Sequence, residues 1–415
     1  MKRDELECKA TLSSTFRDES VQGVSSGKVL AVLSLSHFSQ HVYEGRSVLY
    51  TYIMNSLGLS YTQIGVAAGV ASTLTGLLQM VFGLAGRIIP RRLILGLGNI
   101  LMSLSSFGIG VSNSFLDFAS SQATGGLGIA PEHPVSVSII SERFKNKEIS
   151  TPIGIFYGLG YIGNIIGPIV LTAIALAYEW RSALFVLTVI PFATGILLMA
   201  YLRKDRFSGK AETAKVGYSL WADAKSALRI KGAVALIAAY AFLAGGTSQT
   251  VIGTFLPLFL RNGLHLDQLQ SSFIYSLAML GGVVGTILFG KYANNLGYLK
   301  TTMVCTGIAS LSFFLLSHPA VSDLALTLNL VLVGFATFPL TSLMQSTLSS
   351  FSGPSQRDIL IGLHLTVGFG FSSLWSAFLG FLIDLYGMFV PAWYLMSGLC
   401  ILSQVFLMLA YKHRE

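Results

Sequence analysis

Residues 28–58 read KVLAVLSLSHFSQHVYEGRSVLYTYIMNSLG, a stretch long enough to cross a bilayer as one helix. Most of it is aliphatic, aromatic or small, yet its middle carries His37, His41, Glu44 and Arg46. Placing an ionisable side chain at bilayer depth costs roughly a few kcal/mol or more. Such side chains therefore usually face a cavity or a partner. The stretch therefore predicts a membrane helix with a polar functional face.

The rest of the composition is that of a membrane protein. Hydrophobic residues make up 53% of the 415-residue chain and charged residues 11%, whereas a soluble domain carries about a quarter charged residues. Residues 1–28 are polar and of mixed charge, which predicts a cytoplasmic tail rather than a signal peptide. The three cysteines are too scattered for a disulfide framework or a zinc site.

Apolar runs predict an all-α integral membrane protein with twelve transmembrane helices. They lie near residues 29–57, 62–86, 93–113, 115–141, 151–178, 182–202, 233–260, 270–293, 299–317, 322–350, 358–384 and 388–411.

The basic residues predict the orientation of these helices. With the N-terminus inside, 24 of the 27 Lys and Arg residues fall on inner segments, which fits the positive-inside rule. Arg181 and Arg261 lie outside, and Arg46 lies within the membrane. We therefore expect a multi-pass protein of the plasma membrane with both termini cytoplasmic. The net charge of +8 reflects this topology, and dispersed charges do not favour nucleic-acid binding.

The chain also repeats itself. Residues 58–63 (GLSYTQ) resemble residues 263–268 (GLHLDQ) 205 positions later, and an Ile-Gly pair with a following glycine at 153–160 recurs 208 positions later at 361–368. Ordered matches at nearly one offset predict two related six-helix halves, with a binding site near the midplane between them.

The predicted domains follow from the repeat. A tail (1–28) precedes an N-terminal bundle (29–202), a cytoplasmic linker (203–231) and a C-terminal bundle (232–411). The second half of the linker places Trp221, Ala224 and Leu228 on one face, typical of an amphipathic helix on the inner membrane surface.

Two basic turns carry a family resemblance. Residues 83–92 read GLAGRIIPRR, with Gly83, Arg87, Arg91 and Arg92 at motif positions, and a second copy begins at Gly290 with Asn294 in the acidic position. On these residues the chain resembles the major facilitator superfamily over residues 28–411. The resemblance implies alternating access and a cavity lined by helices one, four, seven and ten. In both copies the motif's acidic residue is missing, which puts the family's inner charge relay in question.

The fifth helix resembles the antiporter motif of that family. Gly154, Gly163, Gly167 and Pro168 keep the motif's spacing, although its closing glycine pair is absent. The alternative interpretation is ordinary close packing of small residues against a neighbouring helix.

Within the superfamily, the chain is similar to fosmidomycin-resistance-like exporters. The similarity rests on Ser36-His37 and on the stretch GLGIAPEHP at 126–134. It departs from them at Gln40-His41, where an Asn-Asp pair is expected, and at Gln122, where many members carry arginine.

A helical wheel divides the first helix. His37, His41 and Glu44 fall on one face with Gln40 at its edge, while Arg46 points almost oppositely and Gly45 can loosen the helix between them. Glu44 is the first candidate proton carrier, because a carboxyl removed from water holds a proton more readily. His41 is placed to share that proton. The alternative is a polar cluster that never titrates.

The fourth helix adds further candidates. Gln122 and His133 share a face, with Glu132 beside them between two prolines. Glu132 and His133 are therefore candidate proton-coupling residues, and an alternative is that Glu132 pairs with Arg46 to neutralise both charges.

The remaining polar groups are either substrate contacts or packing residues. Together with His37, Gln40, Arg46 and Gln122, the predicted substrate-binding residues are Tyr157, Tyr161, Asn164, Gln249, Gln345 and His364. A metal-transport alternative rests on the spacing of His37, His41 and Glu44, which can ligate zinc, with Glu132 or His133 as a further ligand.

These observations predict a proton-coupled secondary transporter that exports an amphipathic or weakly acidic small molecule. The alternative is an uptake symporter or uniporter for a small organic anion, with Arg46 as the anion's partner. A sensor without transport is a minor alternative, and no nucleophile, phosphate loop or metal signature indicates an enzyme. The expected partners are the substrate, protons and lipid, the expected state is a monomer, and no cofactor is predicted.

Overall fold

The computed structural model describes residues 25–86, 88–144, 150–204, 228–247, 249–318, 323–351 and 354–413. In this part of the chain, secondary structure is helical throughout. Residues 1–24 of the predicted tail, most of the predicted linker with its amphipathic helix, and Arg87 lie outside the described residues, whereas the last residues of the predicted tail belong to the first helix, which begins at Ser26.

In the described ranges the helices are consistent with the twelve consecutive spans that the sequence predicts. The first six are Ser26–Glu44 with Gly45–Leu49 and Tyr50–Leu57, then Tyr61–Ala85, Arg91–Val111, Phe115–Ile129 with Glu132–Arg143, Ser150–Ala177 and Trp180–Tyr201. The last six are Ala233–Thr247 with Gln249–Leu258, then Gln268–Leu296, Tyr298–Leu316, Asp323–Phe351, Pro354–Tyr386 and Val390–Lys412. Among the described residues, nine uninterrupted helices are long and apolar enough to cross a membrane.

Of the other three spans, the first and the fourth are broken along their length, whereas the seventh is described as two helices on either side of residue 248, which lies outside the described residues. A 3-10 turn, Gly45–Leu49, interrupts the first span directly after Glu44. The fourth span breaks between Ile129 and Glu132, because Pro131 has no backbone donor for a helical hydrogen bond. Breaks of this kind are tolerated in a bilayer only where the backbone is buried in protein or lines a cavity.

The internal repeat is visible in the packing of the glycines. Gly126 of the fourth span lies against the backbone of Ala71 in the second, and Gly334 of the tenth lies against the backbone of Ala278 in the eighth. A side chain at either glycine would collide with the neighbouring helix. The two halves therefore use the same close helix contact, 207 to 208 residues apart.

The halves meet most extensively through two helix pairs, the second with the eleventh span and the fifth with the eighth, and the seventh span also contacts the first and the second. Contacts concentrate at the end of the bundle that the charges predict to be outer. There the Asp384 carboxylate accepts hydrogen bonds from the backbone N–H groups of Tyr61 (3.0 Å) and Thr62 (2.7 Å). Gln268 donates to the carbonyl of Val48 at 2.8 Å. These contacts hold the halves together on that side of the midplane.

Candidate functional site

A cavity lies between the two halves, and the empty space in it and in its opening to solvent amounts to about 1020 Å³. Its N-terminal wall is polar and includes Gln40, Glu44, Arg46, Ser47, Tyr50, Ser72, Thr75, Gln79, Gln122, His133 and Asn164. Its C-terminal wall carries no charged residue among the described ones and includes Thr250, Ile252, Gly253, Thr254, Tyr275, Met279, Phe338 and Phe369. The cavity therefore has one charged wall and one largely apolar wall, and it lies between the halves, where the sequence predicts a binding site.

The face predicted for the first span forms a continuous hydrogen-bonded chain. Glu44 Oε2 lies 2.7 Å from His41 Nδ1, and His41 Nε2 lies 3.0 Å from His37 Nε2. His37 Nδ1 lies 3.1 Å from the backbone oxygen of Phe156 in the fifth span. Gln40 donates to the second oxygen of Glu44 at 3.1 Å. Four predicted site residues are therefore brought together, with Glu44 at the cavity end.

Arg46 is buried, with 6% of its surface exposed, and it lies over the Tyr43 ring at 3.7 Å from its centroid. It donates to the carbonyl of Tyr43 at 2.9 Å and to the Oε1 atom of Gln122. Gln122 in turn donates to the Tyr50 hydroxyl at 2.6 Å. In the described part of the chain no carboxylate lies within salt-bridge distance of this guanidinium. Arg46 is a buried cation held by neutral groups alone.

Two predictions about Arg46 are wrong. It does not pair with Glu132, since its polar contacts are to Tyr43 and Gln122. It also does not point away from Glu44, because both residues line the same cavity. The 3-10 turn that begins at Gly45 changes the angle per residue, and the long side chain folds back over Tyr43.

Glu132 lies behind the cavity wall rather than on it. Its carboxyl group accepts a hydrogen bond from Ser36 at 2.7 Å and from Ser136 at 3.3 Å. Asn99 donates to Ser36 at 2.9 Å and completes this buried cluster. Glu132 is 1% exposed and is not among the residues that line the cavity. The Glu132 carboxyl group therefore has no direct contact with the cavity, which does not favour its predicted role in proton coupling.

The other predicted residues of the N-terminal half fall into two groups, those that line the cavity and those that lie behind it. Gln122, His133 and Asn164 line the cavity. Tyr157 and Tyr161 lie behind it and pack against histidines: Tyr157 stacks on His133 at 5.7 Å between centroids, and Tyr161 contacts His41 at 5.2 Å. The two tyrosines support the histidine rings and do not form the cavity surface.

Two of the three residues predicted to contact substrate in the C-terminal half are described, and neither lies on the cavity. Gln345 and His364 are not among its lining residues, and His364 is buried against Tyr240 with 3.7 Å between ring centroids. The side chain of Gln249 lies outside the described residues. The lining residues that sequence reasoning missed are aromatic or hydroxyl groups such as Tyr50, Tyr275 and Thr254. These residue types are common in apolar helices and give no signal by themselves.

At the inner end, Arg91 forms a bidentate ion pair with Glu142 of the fourth span, with two N–O distances of 2.7 Å. An acidic partner thus comes from a neighbouring helix although the motif's own acidic position is absent. Gly83 has only one neighbour near its Cβ position, Pro134 at 3.8 Å. Arg92 is partly exposed.

Among the described residues, the second basic turn has no ion pair equivalent to that of Arg91 and Glu142. There Asn294 accepts a hydrogen bond from Tyr298 at 3.1 Å, and the Cβ position of Gly290 has no neighbour within 4 Å.

The glycines of the fifth span act as a packing surface. Gly163 lies against the backbone of Phe38, Gly167 against Val42, and Pro168 against Gly45. Gly154, in contrast, has no neighbour near its Cβ position. The spacing that resembles an antiporter motif therefore lets the first and fifth spans approach closely, as the packing interpretation predicts.

The metal-transport alternative has no support in the geometry. Both ring nitrogens of His41 already lie within hydrogen-bonding distance of a neighbour, Glu44 or His37. Over the described ranges, no group of three or more His, Cys, Asp and Glu side chains could hold a metal ion.

Comparison with known proteins gives one family. The sequence profile described as the Major Facilitator Superfamily matches residues 45–377. A probable L-galactonate transporter of Escherichia coli (strain K12) is 36% identical over 137 residues, which span 33% of this chain and only 30% of that relative. A probable sulfoacetate transporter, SauU, of Cupriavidus necator is 23% identical over 86% of this chain and 87% of its own. A hexuronate transporter of Bacillus subtilis (strain 168) is 23% identical over 74% and 71%.

Solved structures share the fold. The nucleoside transporter NupG superposes with a TM-score of 0.77 at 16% identity, covering 92% of this chain and 99% of that one. A bacterial homologue of the lysosomal transporter Spinster, crystallised inward-facing and occupied, gives a TM-score of 0.74 at 16% identity over 93% and 97%.

Proposed function

The chain belongs to the major facilitator superfamily, and on that premise we propose that it transports a small organic anion together with a proton. The observation that carries the proposal is Arg46, a buried guanidinium that lines the cavity and has no carboxylate partner in the described part of the chain. An unpaired charge at bilayer depth is costly. A substrate carboxylate would supply the missing partner through paired N–H···O bonds.

The charges of the cavity also favour an accompanying proton. Glu44 lies on the same wall and forms a close pair with His41 behind it, so the net charge of this wall depends on whether the pair carries a proton. An anion bound at Arg46 and a proton held by Glu44 and His41 would cross the membrane without moving net charge. This pairing favours the uptake symport predicted as the alternative over export.

The C-terminal wall sharpens the substrate class. Met279, Phe338 and Phe369 offer apolar and aromatic contacts opposite the charged wall. An anion with an apolar portion fits both walls, because its charged group can contact the polar wall while its apolar portion packs against the apolar wall. In counterflow assays we expect apolar monocarboxylates to compete for the site better than polyhydroxylated sugar acids. Stronger competition by the sugar acids would contradict this class and would place the substrate nearer those in the relatives' names.

The test is transport by purified protein in liposomes with an imposed proton gradient. Glu44→Gln should abolish proton-driven accumulation and leave counterflow exchange, because the amide keeps the shape of the carboxyl and cannot carry the proton. Glu179→Gln, the same change at an exposed position outside the cavity, is the control. Equal accumulation in Glu44→Gln and wild type would remove Glu44 from coupling.

The direction of coupling has its own measurement. In a weakly buffered suspension of right-side-out vesicles, added substrate should make the external medium more alkaline if anion and proton enter together. Acidification would instead support the export by antiport that the sequence resemblance predicts.

A further inference from the structure

The chain Glu44–His41–His37 ends on an atom that can only accept a hydrogen bond, the backbone oxygen of Phe156. His37 Nδ1 must therefore carry a hydrogen, since it lies 3.1 Å from that oxygen. The Nε2 atoms of His37 and His41, 3.0 Å apart, must share one hydrogen between them. A hydrogen is likewise needed between His41 Nδ1 and Glu44 Oε2, which are 2.7 Å apart.

These three contacts fix the number of protons. Three hydrogen bonds need three hydrogens, but the neutral rings of His37 and His41 bring one each and the Glu44 carboxylate brings none. The geometry is fully satisfied only when the three groups hold one additional proton. Without it, at least one of the three contacts places two acceptor atoms against each other at a buried position.

The additional proton has three possible positions and can move between them without breaking the chain. With the proton on Glu44, its O–H donates to His41 Nδ1 and His41 Nε2–H donates to His37 Nε2. Transfer from Glu44 oxygen to His41 Nδ1 leaves a carboxylate and an imidazolium. A second transfer, from His41 Nε2 to His37 Nε2, leaves a neutral His41 and an imidazolium at His37 that still donates to Phe156.

We propose that Glu44, His41 and His37 form a proton relay that stores one proton, with His37 as its buried end station. The proposal rests on the proton coupling of the proposed function and extends it to a residue outside the cavity lining. The relay opens to the cavity at one end only: the Glu44 side chain is 29% exposed, whereas His37 is fully buried. Protons therefore enter at Glu44 and reach His37 through His41.

Rings and charged groups from neighbouring spans surround the relay, and each of them can influence its proton. His133 of the fourth span meets His37 edge-on at 5.1 Å between centroids, and Tyr157 of the fifth span does so at 5.3 Å. Tyr161 of the fifth span contacts the His41 ring, and Arg46 and Tyr275 line the cavity together with Glu44. Beneath the His37 ring, Gly160 leaves no room for a side chain.

The first experiment reads the hydrogens directly. We would record solid-state NMR spectra of the protein in lipid with 15N-labelled histidine. The relay requires a protonated Nδ1 at His37 and a scalar coupling between the two Nε2 atoms across the shared hydrogen. Loss of these signals in His37→Asn or His37→Gln assigns them. A His37 with bare Nδ1, or no coupling between the Nε2 atoms in the pH range of active transport, would overturn the proposal.

The second experiment measures the pH dependence of proton-driven accumulation. His37→Asn removes the Nε2 acceptor, so His41 Nδ1–H can serve the Glu44 carboxylate with no additional proton. The stored proton should then leave more readily, and the midpoint of the pH profile should move to lower pH by about one unit or more, the equivalent of one unmade buried hydrogen bond. An unchanged midpoint in this variant contradicts the relay.

His364→Asn is the matched control. His364 is a buried histidine of the other half, also stacked on a ring, and neither of its ring nitrogens has a hydrogen-bond partner among the described residues. Its pH profile should equal that of the wild type, and an equal shift in both variants would overturn the proposal. Wild-type protein that shows counterflow but no proton-driven accumulation would refute the proposed coupling, whereas the NMR spectrum tests the relay without transport.

Discussion

Each half of the molecule holds a stacked pair of rings where its first and fifth helices meet. In the N-terminal half His37 stacks on Phe156, with 4.4 Å between ring centroids, and in the C-terminal half Tyr240 stacks on His364 at 3.7 Å. Phe156 and His364 are 208 residues apart, the offset of the sequence repeat. A glycine lies against the first-helix ring in both halves. The stack is thus a shared feature of the repeated fold.

The two histidines differ in what they are connected to. Both ring nitrogens of His37 have partners, and through His41 the ring is linked to Glu44 at the cavity. The nitrogens of His364 have none in the part of the chain that the structure describes. The same packing therefore holds a hydrogen-bonded ring in the N-terminal half, where we propose the relay, and only fills space in the described part of the C-terminal half. The cavity repeats this division, with Glu44 and Arg46 on one wall and apolar side chains on the other.

The largest expected effect comes from removing the unpaired cation of the N-terminal half. Arg46→Gln should weaken substrate binding at least about 30-fold, because losing one member of a buried charged pair costs about 2–5 kcal/mol. Arg46→Lys keeps the charge without the planar fork and should lie in between. The measurement is substrate affinity from ligand-induced thermal shift, followed by counterflow.

Arg181→Gln is the control for this change. Arg181 also lies over an aromatic ring, 4.2 Å from Trp180, but at the predicted outer end and away from the cavity lining. If both glutamine variants lost affinity equally, Arg46 would have no special role in binding.

Part of this site could be predicted from the sequence, because periodicity along one helix is reliable over two turns. The face formed by His37, His41 and Glu44 was predicted by the wheel and is hydrogen-bonded as a unit. The position of Arg46 could not be predicted, since the wheel assumes 100° per residue and the helix changes to a 3-10 turn at Gly45.

Contacts between different helices were harder to predict. The pairing of Glu132 with Arg46 was inferred from charge alone, but the structure gives Glu132 the hydroxyl groups of Ser36 and Ser136. The spacing of residues in the sequence gives no information on distances between separate spans. The polar group nearest to Glu132 therefore cannot be identified from the sequence. The packing glycines could be predicted as a class, because only small residues allow such close approach.

The second prediction compares the two glycines beneath the stacks. Gly160→Ala would overlap the His37 ring and Gly368→Ala the Tyr240 ring. Both should lower stability by about 1–3 kcal/mol, since neither site has room for a methyl group. Only Gly160→Ala should also reduce proton-driven accumulation relative to counterflow, because only His37 belongs to the relay.

Thermal unfolding and transport assays on the same preparations test this comparison. Gly154→Ala is the control, since nothing lies within 4 Å of its Cβ position and alanine favours a helix. A coupling defect of equal size in Gly368→Ala would show that the stacks, and not the relay, set the coupling.

The third prediction concerns the contact that joins the halves at the outer end. Asp384→Asn should weaken the capping of the second span by the eleventh by about 1 kcal/mol, a shift of roughly fivefold in the population closed on this side. Asp267→Asn is the control, because Asp267 caps its own helix at the N–H of Gln270 without crossing between halves. Spin-label distances between Asn113 and Met388 should broaden toward longer values only in Asp384→Asn.

The smallest expected effect separates the two buried acids of the N-terminal half. Glu132→Gln should leave proton-driven accumulation within about twofold of wild type, because its neighbours are hydroxyl groups and a glutamine amide can satisfy them at a cost below ~1 kcal/mol. Glu44→Gln, measured in the same liposomes, should abolish accumulation because Glu44 faces the cavity and His41. Loss of coupling in Glu132→Gln would mean that protons reach a carboxyl that does not line the substrate space. The groups that carry protons would then include Glu132 behind the cavity wall. The N-terminal half would differ from the C-terminal half by more proton-carrying groups than the three residues of the relay.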